Sequence, residues 1–409
     1  MRIPKYVRAP IRVVGRLALF AVVAAGLLLA ALWLDHTRET TLPTPSGQFA
    51  VGRMTYVWAD ATHLDPMAPA PGANRKLLAW IWYPAAAQPS QPLADYLPIL
   101  WRTALDRRRG PVISKFLTRD LSGVRVHSIR DAQVASAQAK YPVVLMRAGL
   151  AALTTDYTTL AEDLASHGYV VVGFDAPYRS WLVVLPDGTV IARTPENNAD
   201  LLTGPAQVQL ATKLVETWTA DTRFALDQLE RLNASDPSGR LLERLDVQRV
   251  GVFGHSLGGA TSLQFCHDDS RCKVGIDVDG APLGSAVADG VAKPFLFLLS
   301  AQIESTDFEN SRVKADIKSI YDRLPAQGRL KVEIRGANHY LFSDDSALLK
   351  TRVVTTPLRV LGVLGIDGRR QLAVTAYCVR SFFDAYLKGT NASQLKITSS
   401  AYPEVRVLE

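Results

Sequence analysis

The run from Arg249 to Ala260, RVGVFGHSLGGA, sets a serine between two glycines in the order Gly254-His255-Ser256-Leu257-Gly258. A serine hydroxyl is a weak nucleophile near neutral pH, so it needs a base to take its proton and a third group to orient that base. An apolar, strand-like run ends directly before the motif and LGGATSLQF can open a helix directly after it, which is the setting a nucleophile elbow requires. Such a turn strains the nucleophile's backbone and crowds neighbouring chain, so residues without side chains are needed at 254 and 258. Ser256 Oγ would then stand at a helix N-terminus, where backbone N–H groups favour developing negative charge. The chemistry this predicts is acyl transfer through a serine-bound intermediate.

The partners follow from chain order, which on this type of elbow runs serine, acid, histidine. Of seven histidines only His267 and His339 come after Ser256. His267 lies between two cysteines one helix beyond the motif. His339 stands in RGANHYLFSDD, just past the strand-like LKVEIR, and is the expected base. For the acid, KVGIDVDGAP ends a strand at Asp279, with Asp277 as the alternative, since alternation points it the same way two residues deeper. Asp175, ending YVVVGFD, precedes Ser256 and reads as structural or substrate-facing.

These residues need a scaffold. From Tyr141 onward PVVLMR, YVVVGFD, RVGVFG, KVGIDVD, PFLFLLS and LKVEIR are short apolar runs, each followed by helix-like or loop sequence. Buried parallel strands read this way, and their repetition predicts an α/β class fold with a mostly parallel, doubly wound sheet. Residues 50–57 and 77–83 (LLAWIWY), joined through DPMAPAPGAN, predict an antiparallel pair at an N-terminal sheet edge. Segment 93–118 combines Leu97, Leu100, Trp101 and Leu105 at helical spacing with Arg107, Arg108 and Arg109. It reads either as a cap meeting lipid head groups or as an ordinary helix with a solvated basic end. One globular domain, 49–409, is expected after residues 35–48 (DHTRETTLPTPSGQ), a polar, proline-bearing tether.

The N-terminus speaks to location. Residues 17–34 carry no charge, and at about 1.5 Å per residue such a helix would cross roughly 27 Å of bilayer. Arg2, Lys5, Arg8, Arg12 and Arg16 make 1–16 a basic flank. The positive-inside rule then keeps the N-terminus cytoplasmic and sends the body across, periplasmic if the cell is bacterial. Leu32, Trp33 and Leu34 are not the small residues a cleavage site needs, so an uncleaved signal anchor is expected, with secretion after cleavage as the alternative. Removing the five flank charges from the net +7 leaves +2 over 393 residues, which argues against nucleic acid as a partner. Cys266 and Cys272 sit close enough to pair in an oxidising compartment, leaving Cys378 as a free thiol. Metal ligation around His267, Asp268 and Asp269 is the alternative, although five intervening residues do not match a zinc knuckle.

GHSLGGAT, DGAPLG, RGANH and the stretch YPVVLMRAGLAALTTDYTTLAEDLASHGYVVVGFDAPYRS resemble the platelet-activating factor acetylhydrolase family across most of residues 49–390. The resemblance implies an α/β-hydrolase fold, a serine carboxylic-ester hydrolase acting on short-chain or phospholipid-type acyl esters, and no metal or organic cofactor. It matches Ser256, Asp279 and His339 to the family's triad. By position the two oxyanion-hole N–H groups would be those of Leu150 and Leu257. Two departures stand out: Ala148-Gly149-Leu150-Ala151 replaces the family's His-Gly-Leu-Gly, and Gly280-Ala281-Pro282 follows the acid where aromatic residues are usual. A cutinase-like polyesterase or peptidase with the same triad, or a catalytically silent hydrolase-fold binding module, are the rival expectations.

Overall fold

The structure, a computed structural model, describes residues 5–86, 91–150, 152–300, 308–349, 355–356, 360–361, 365–390, 395 and 397–408. It opens with a long helix, α1 (Lys5–His36), whose stretch from Val14 to His36 is long and apolar enough to cross a membrane and buries none of its most apolar window against the body. After it come β1 (Thr40–Thr41), β2 (Ala50–Leu64), β3 (Asn74–Ala85), β4 (Leu93–Asp95), α2 (Ile99–Arg109), β5 (Val124–Arg130), β6 (Tyr141–Arg147), α3 (Thr158–Ser166) and β7 (Val170–Asp175). A small hairpin, β8 (Leu182–Val184) and β9 (Val190–Ala192), leads to α4 (Gly204–Ala234), β10 (Leu245–His255), α5 (Leu257–Asp268) and β11 (Cys272–Val278). The chain closes with α6 (Ala286–Asp289), β12 (Phe295–Ser300), α7 (Phe308–Arg323), β13 (Arg329–Ile334), α8 (Asp345–Leu348), α9 (Gly368–Leu387) and β14 (Val405–Val407).

One sheet organises the body, in the order β1-β5-β2-β3-β7-β6-β10-β11-β12-β13-β14, with β4 on β5. Its centre, β7-β6-β10-β11-β12-β13, is parallel throughout and is made of the six apolar runs named above. Every residue of β6, β7 and β12 is buried, which is why these strands are apolar on both faces rather than alternating. Val144 and Met146 pack with α2, α3 and α9 on one side, while Val143 and Leu145 pack with α4, α5 and α7 on the other. Helices on both faces of a parallel sheet make the doubly wound α/β arrangement.

Two expectations change, and an open alternative is decided for α2. Residues 37–48 are not a free tether: β1 pairs with β5, Leu42 is 1% exposed, and Ser46 donates from its N–H and Oγ to Asp163 Oδ1 at 3.0 and 2.7 Å. The β2–β3 pair is antiparallel as read, but it is interior, because β5 and β1 extend the sheet beyond β2. In α2, Trp101 and Leu105, like Leu97 just ahead of it, are buried, and Trp101 meets Trp80 edge-on at 5.7 Å, so the helix packs as an ordinary one; Leu100 is half exposed.

The C-terminal end of α1 is fastened to the body. His36 Nδ1 donates to the Thr118 carbonyl at 2.8 Å, Asp120 N–H donates to the His36 carbonyl at 2.9 Å, and Arg119 Nη1 donates to the Asp35 carbonyl at 3.0 Å. Arg119 Nε reaches on to the Leu348 carbonyl at 2.9 Å.

Candidate active site

Strand β10 runs into α5 through a single residue, Ser256, held at φ 56° and ψ −124°. A left-handed φ on a residue with a side chain stores strain and is kept only where the surroundings dictate it. Here the glycines do so. A Cβ on Gly254 would stand 2.2 Å from the Gly258 carbonyl oxygen, and one on Gly258 would stand 2.4 Å from that of Arg147. Gly259 is equally constrained, since its Cβ would fall 1.9 Å from Asp277 Oδ1. The glycine pattern is thus a steric consequence of strand β6, strand β11 and helix α5 converging on one turn.

The neighbouring strand ends deliver the partners. Gly254 and His255 register against Asp277 and Val278 of β11, and Ser256 N–H donates to the Val278 carbonyl at 2.9 Å. The next residue, Asp279, also has φ 56°, and this turn out of the strand brings Oδ2 to 2.8 Å from His339 Nδ1 while Oδ1 accepts the Ser300 N–H at 2.6 Å. His339, in the short turn after β13, brings Nε2 to 3.2 Å from Ser256 Oγ. Asp279 is 3% exposed. Asp277, the alternative acid, accepts the Gly280 N–H on Oδ1 at 2.7 Å instead, and burial pushes its carboxyl up to about 8.

Two further residues surround the histidine and were not singled out from sequence. His255 is buried with its ring centroid 4.6 Å from that of His339, and Tyr157 Oη is hydrogen-bonded to His255 Nδ1 at 2.8 Å while accepting the Gly149 N–H at 3.2 Å. Burial, followed by the adjacent His339, pulls His255 down to about 3, so it is neutral at physiological pH. Asp175 is structural: it accepts Trp80 Nε1–H at 2.8 Å and the Thr154 N–H at 3.0 Å, fixing the loop after β6, and burial raises it to about 6.

A cavity of about 420 Å³ opens over Ser256 and His339, walled by Gly149, Leu150, Tyr157 and Tyr340 with Asp200 and Asp345 at its sides. Leu150, which the resemblance matched to an oxyanion donor, is among the residues lining this cavity. Leu257 is the first residue of α5, so its N–H is one of those that no helix carbonyl takes. Neither Asp200 nor Asp345 carries a sequence signal, since each sits in a loop or short turn brought in by the fold. Cys266 and Cys272 are joined as a disulfide, which replaces the metal reading, and Cys378 is free and buried. Among the described residues no group of three or more His, Cys, Asp or Glu side chains is arranged to hold a metal ion.

The sheet order, the strained serine between β10 and α5, and the late histidine after β13 define an α/β-hydrolase fold. Residues 35–184 and 221–393 match the family described as platelet-activating factor acetylhydrolase, isoform II, and the chain belongs to that family. A platelet-activating factor acetylhydrolase from Canis lupus familiaris is 27% identical over 222 residues, 50% of this chain and 48% of that protein. A probable 1-alkyl-2-acetylglycerophosphocholine esterase from Arthroderma benhamiae is 26% identical over 282 residues, 66% of each chain. The chain spans about half to two thirds of the length of these curated relatives. Among solved structures, a ferulic acid esterase from Streptomyces cinnamoneus superposes with a TM-score of 0.74 at 28% identity, covering 91% of this chain and 100% of that one.

Proposed function

We propose that the chain is a serine carboxylic-ester hydrolase acting through an acyl-enzyme on short-chain or phospholipid-type acyl esters. The observation that carries this reading is the continuous line from Asp279 Oδ2 through His339 to Ser256 Oγ, 2.8 and 3.2 Å, beneath an open cavity. Ser256 Oγ attacks the acyl carbonyl as His339 Nε2 takes its proton. Asp279 holds Nδ1–H and stabilises the imidazolium, and the N–H groups of Leu150 and Leu257 receive the oxyanion. His339 then protonates the leaving alcohol, and water repeats the sequence to release the acid. No step calls for a metal or organic cofactor.

In the same reading α1 is an uncleaved anchor that holds residues 49–409, the hydrolase domain, outside the cytoplasm beside a membrane, where ester lipids are at hand. Membership of the acetylhydrolase family supports an acyl ester as substrate. The ferulic acid esterase neighbour supports a second choice of substrate, a small aromatic acyl ester, within the same chemistry. One experiment tests both: hydrolysis of p-nitrophenyl esters from acetyl to dodecanoyl, with a feruloyl ester alongside, by the full chain in detergent and by Ser256→Ala. A short-chain optimum lost in Ser256→Ala is expected. Preference for the feruloyl ester moves the substrate assignment to aromatic acyl groups, and no turnover with no fluorophosphonate labelling of Ser256 overturns the enzyme reading in favour of a binding module.

A further inference from the structure

The loop after β6 carries a backbone arrangement that the triad does not explain. Gly149 and Leu150 together own four main-chain hydrogen-bonding groups, and three of them are committed. Gly149 N–H donates to Tyr157 Oη at 3.2 Å, and the Gly149 carbonyl accepts the Ala152 N–H at 3.1 Å. The Leu150 carbonyl accepts from Arg193 Nη1 at 3.2 Å. The fourth group is the Leu150 N–H, which the mechanism above gives to the oxyanion. A peptide unit is planar with N–H and C=O pointing opposite ways, so holding the Gly149 carbonyl aims the Leu150 N–H to the other side. Holding the Leu150 carbonyl as well prevents the next unit from swinging and carrying that N–H off line.

We propose that Arg193 is a positioning residue for the oxyanion hole, holding the loop at the Leu150 carbonyl so that the preceding Gly149–Leu150 peptide keeps its N–H toward the reacting carbonyl. This inference rests on the reading of the chain as a serine ester hydrolase. Several observations make Arg193 suited to the task. It follows β9 directly, and its own N–H donates to the Trp181 carbonyl at 3.1 Å, so its backbone is fixed by the hairpin. Its side chain is only 8% exposed, and Nη2 lies 3.5 Å from Asp200 Oδ2, on the cavity wall. One guanidinium nitrogen thus holds the loop while another is tied to Asp200, a two-pronged geometry that a lysine ammonium reproduces poorly. Arg193 and Asp200 also fall within residues 185–220, between the two parts of the chain that match the family, so this support comes from a stretch the family pattern does not cover.

The test uses the full chain in detergent micelles, with Arg193→Met, Arg193→Lys and Arg193→Ala beside wild type. The measurements are kcat and KM on p-nitrophenyl acetate, inhibition by a boronic acid that forms a tetrahedral adduct on serine, and thermal melting. The expected result for Arg193→Met is a fall of about 10- to 100-fold in kcat with KM changed by less than about threefold, because loss of alignment acts on the transition state. Boronic acid affinity should fall in step with kcat, Arg193→Lys should recover part of both, and methylguanidinium should partly restore Arg193→Ala. Arg193→Met within about twofold of wild type in kcat overturns the proposal. So does a loss that tracks melting temperature alone, with boronic acid affinity unchanged and no rescue by lysine or methylguanidinium. Those failures leave the hydrolase reading standing, since wild type and its Ser256→Ala control still differ. A wild-type chain inert to every ester and to fluorophosphonate overturns both.

Discussion

Asp277, in β11, and Asp279, just past its end, stand two residues apart, yet their surroundings give them different partners. Asp279 holds His339 Nδ1 on Oδ2 and the Ser300 N–H on Oδ1, whereas Asp277 is fully buried with the Gly280 N–H on Oδ1, and burial pushes it up to about 8. Asp277 is therefore neutral in the folded chain at pH 7 and ionised in the unfolded chain. The unfolded state then binds fewer protons than the native one, so stability contributed by this group is full below about pH 4 and declines as pH rises toward 8. Asp277→Asn should flatten that decline, read by urea unfolding at pH 5 and pH 8, and should keep esterase activity. Asp279→Asn should instead lower kcat by about 10³- to 10⁴-fold, since the histidine loses the partner that fixes its tautomer. Equal losses in the two variants would contradict the division of roles. Ser256 and His339 were legible in the sequence through motif and chain order, and the acid only as one of the pair Asp277 and Asp279. The sequence did not carry the separation of Asp277 from Asp279, because alternation puts both on one face; the left-handed φ at Asp279 turns that side chain out of the strand. Nor did it show His255 clamped by Tyr157, a contact between residues 98 apart.

At the scale of elements, the six parallel strands were legible because full burial makes them continuously apolar. The short pieces were not: β8 and β9 have three residues each, β1 has two, and β5 mixes exposed with buried positions, too little pattern for periodicity to register. Arg193 was hidden for this reason. Two supports can be tested. The Cys266–Cys272 disulfide joins α5 to β11 across a small loop, and its reduction should cost about 2 kcal/mol by loop-closure entropy without removing activity in the cold, checked by urea unfolding with and without reductant. Arg179 is fully buried between Asp65 and Asp221, with Nε 2.9 Å from Asp221 Oδ2. Arg179→Met removes the charge partner of Asp65 and leaves Asp221 with Arg75 at 3.4 Å, and should destabilise the fold by about 3 kcal/mol; a change under about 1 kcal/mol would mean that the acids find protons or water instead.

The whole molecule differs most from its sequence at the junction of helix and body. Residues 35–48 have the composition of a linker, because exposed edge strands and linkers are both polar, but they lie along the sheet edge and against α3. Trypsin should therefore cut slowly at Arg38 in the full chain; cleavage there before any other site would restore the tether. Fastening α1 through Asp35, His36 and Arg119 has a further consequence once α1 sits in a bilayer. In that anchored reading these bonds restrict the swing of the body and with it the height and tilt of the cavity mouth above the lipid. With the proposed anchor and a lipid ester as the proposed substrate, encounter becomes a problem in two dimensions, in which the rate follows how fast molecules drift sideways beneath the opening rather than how often they arrive from bulk water.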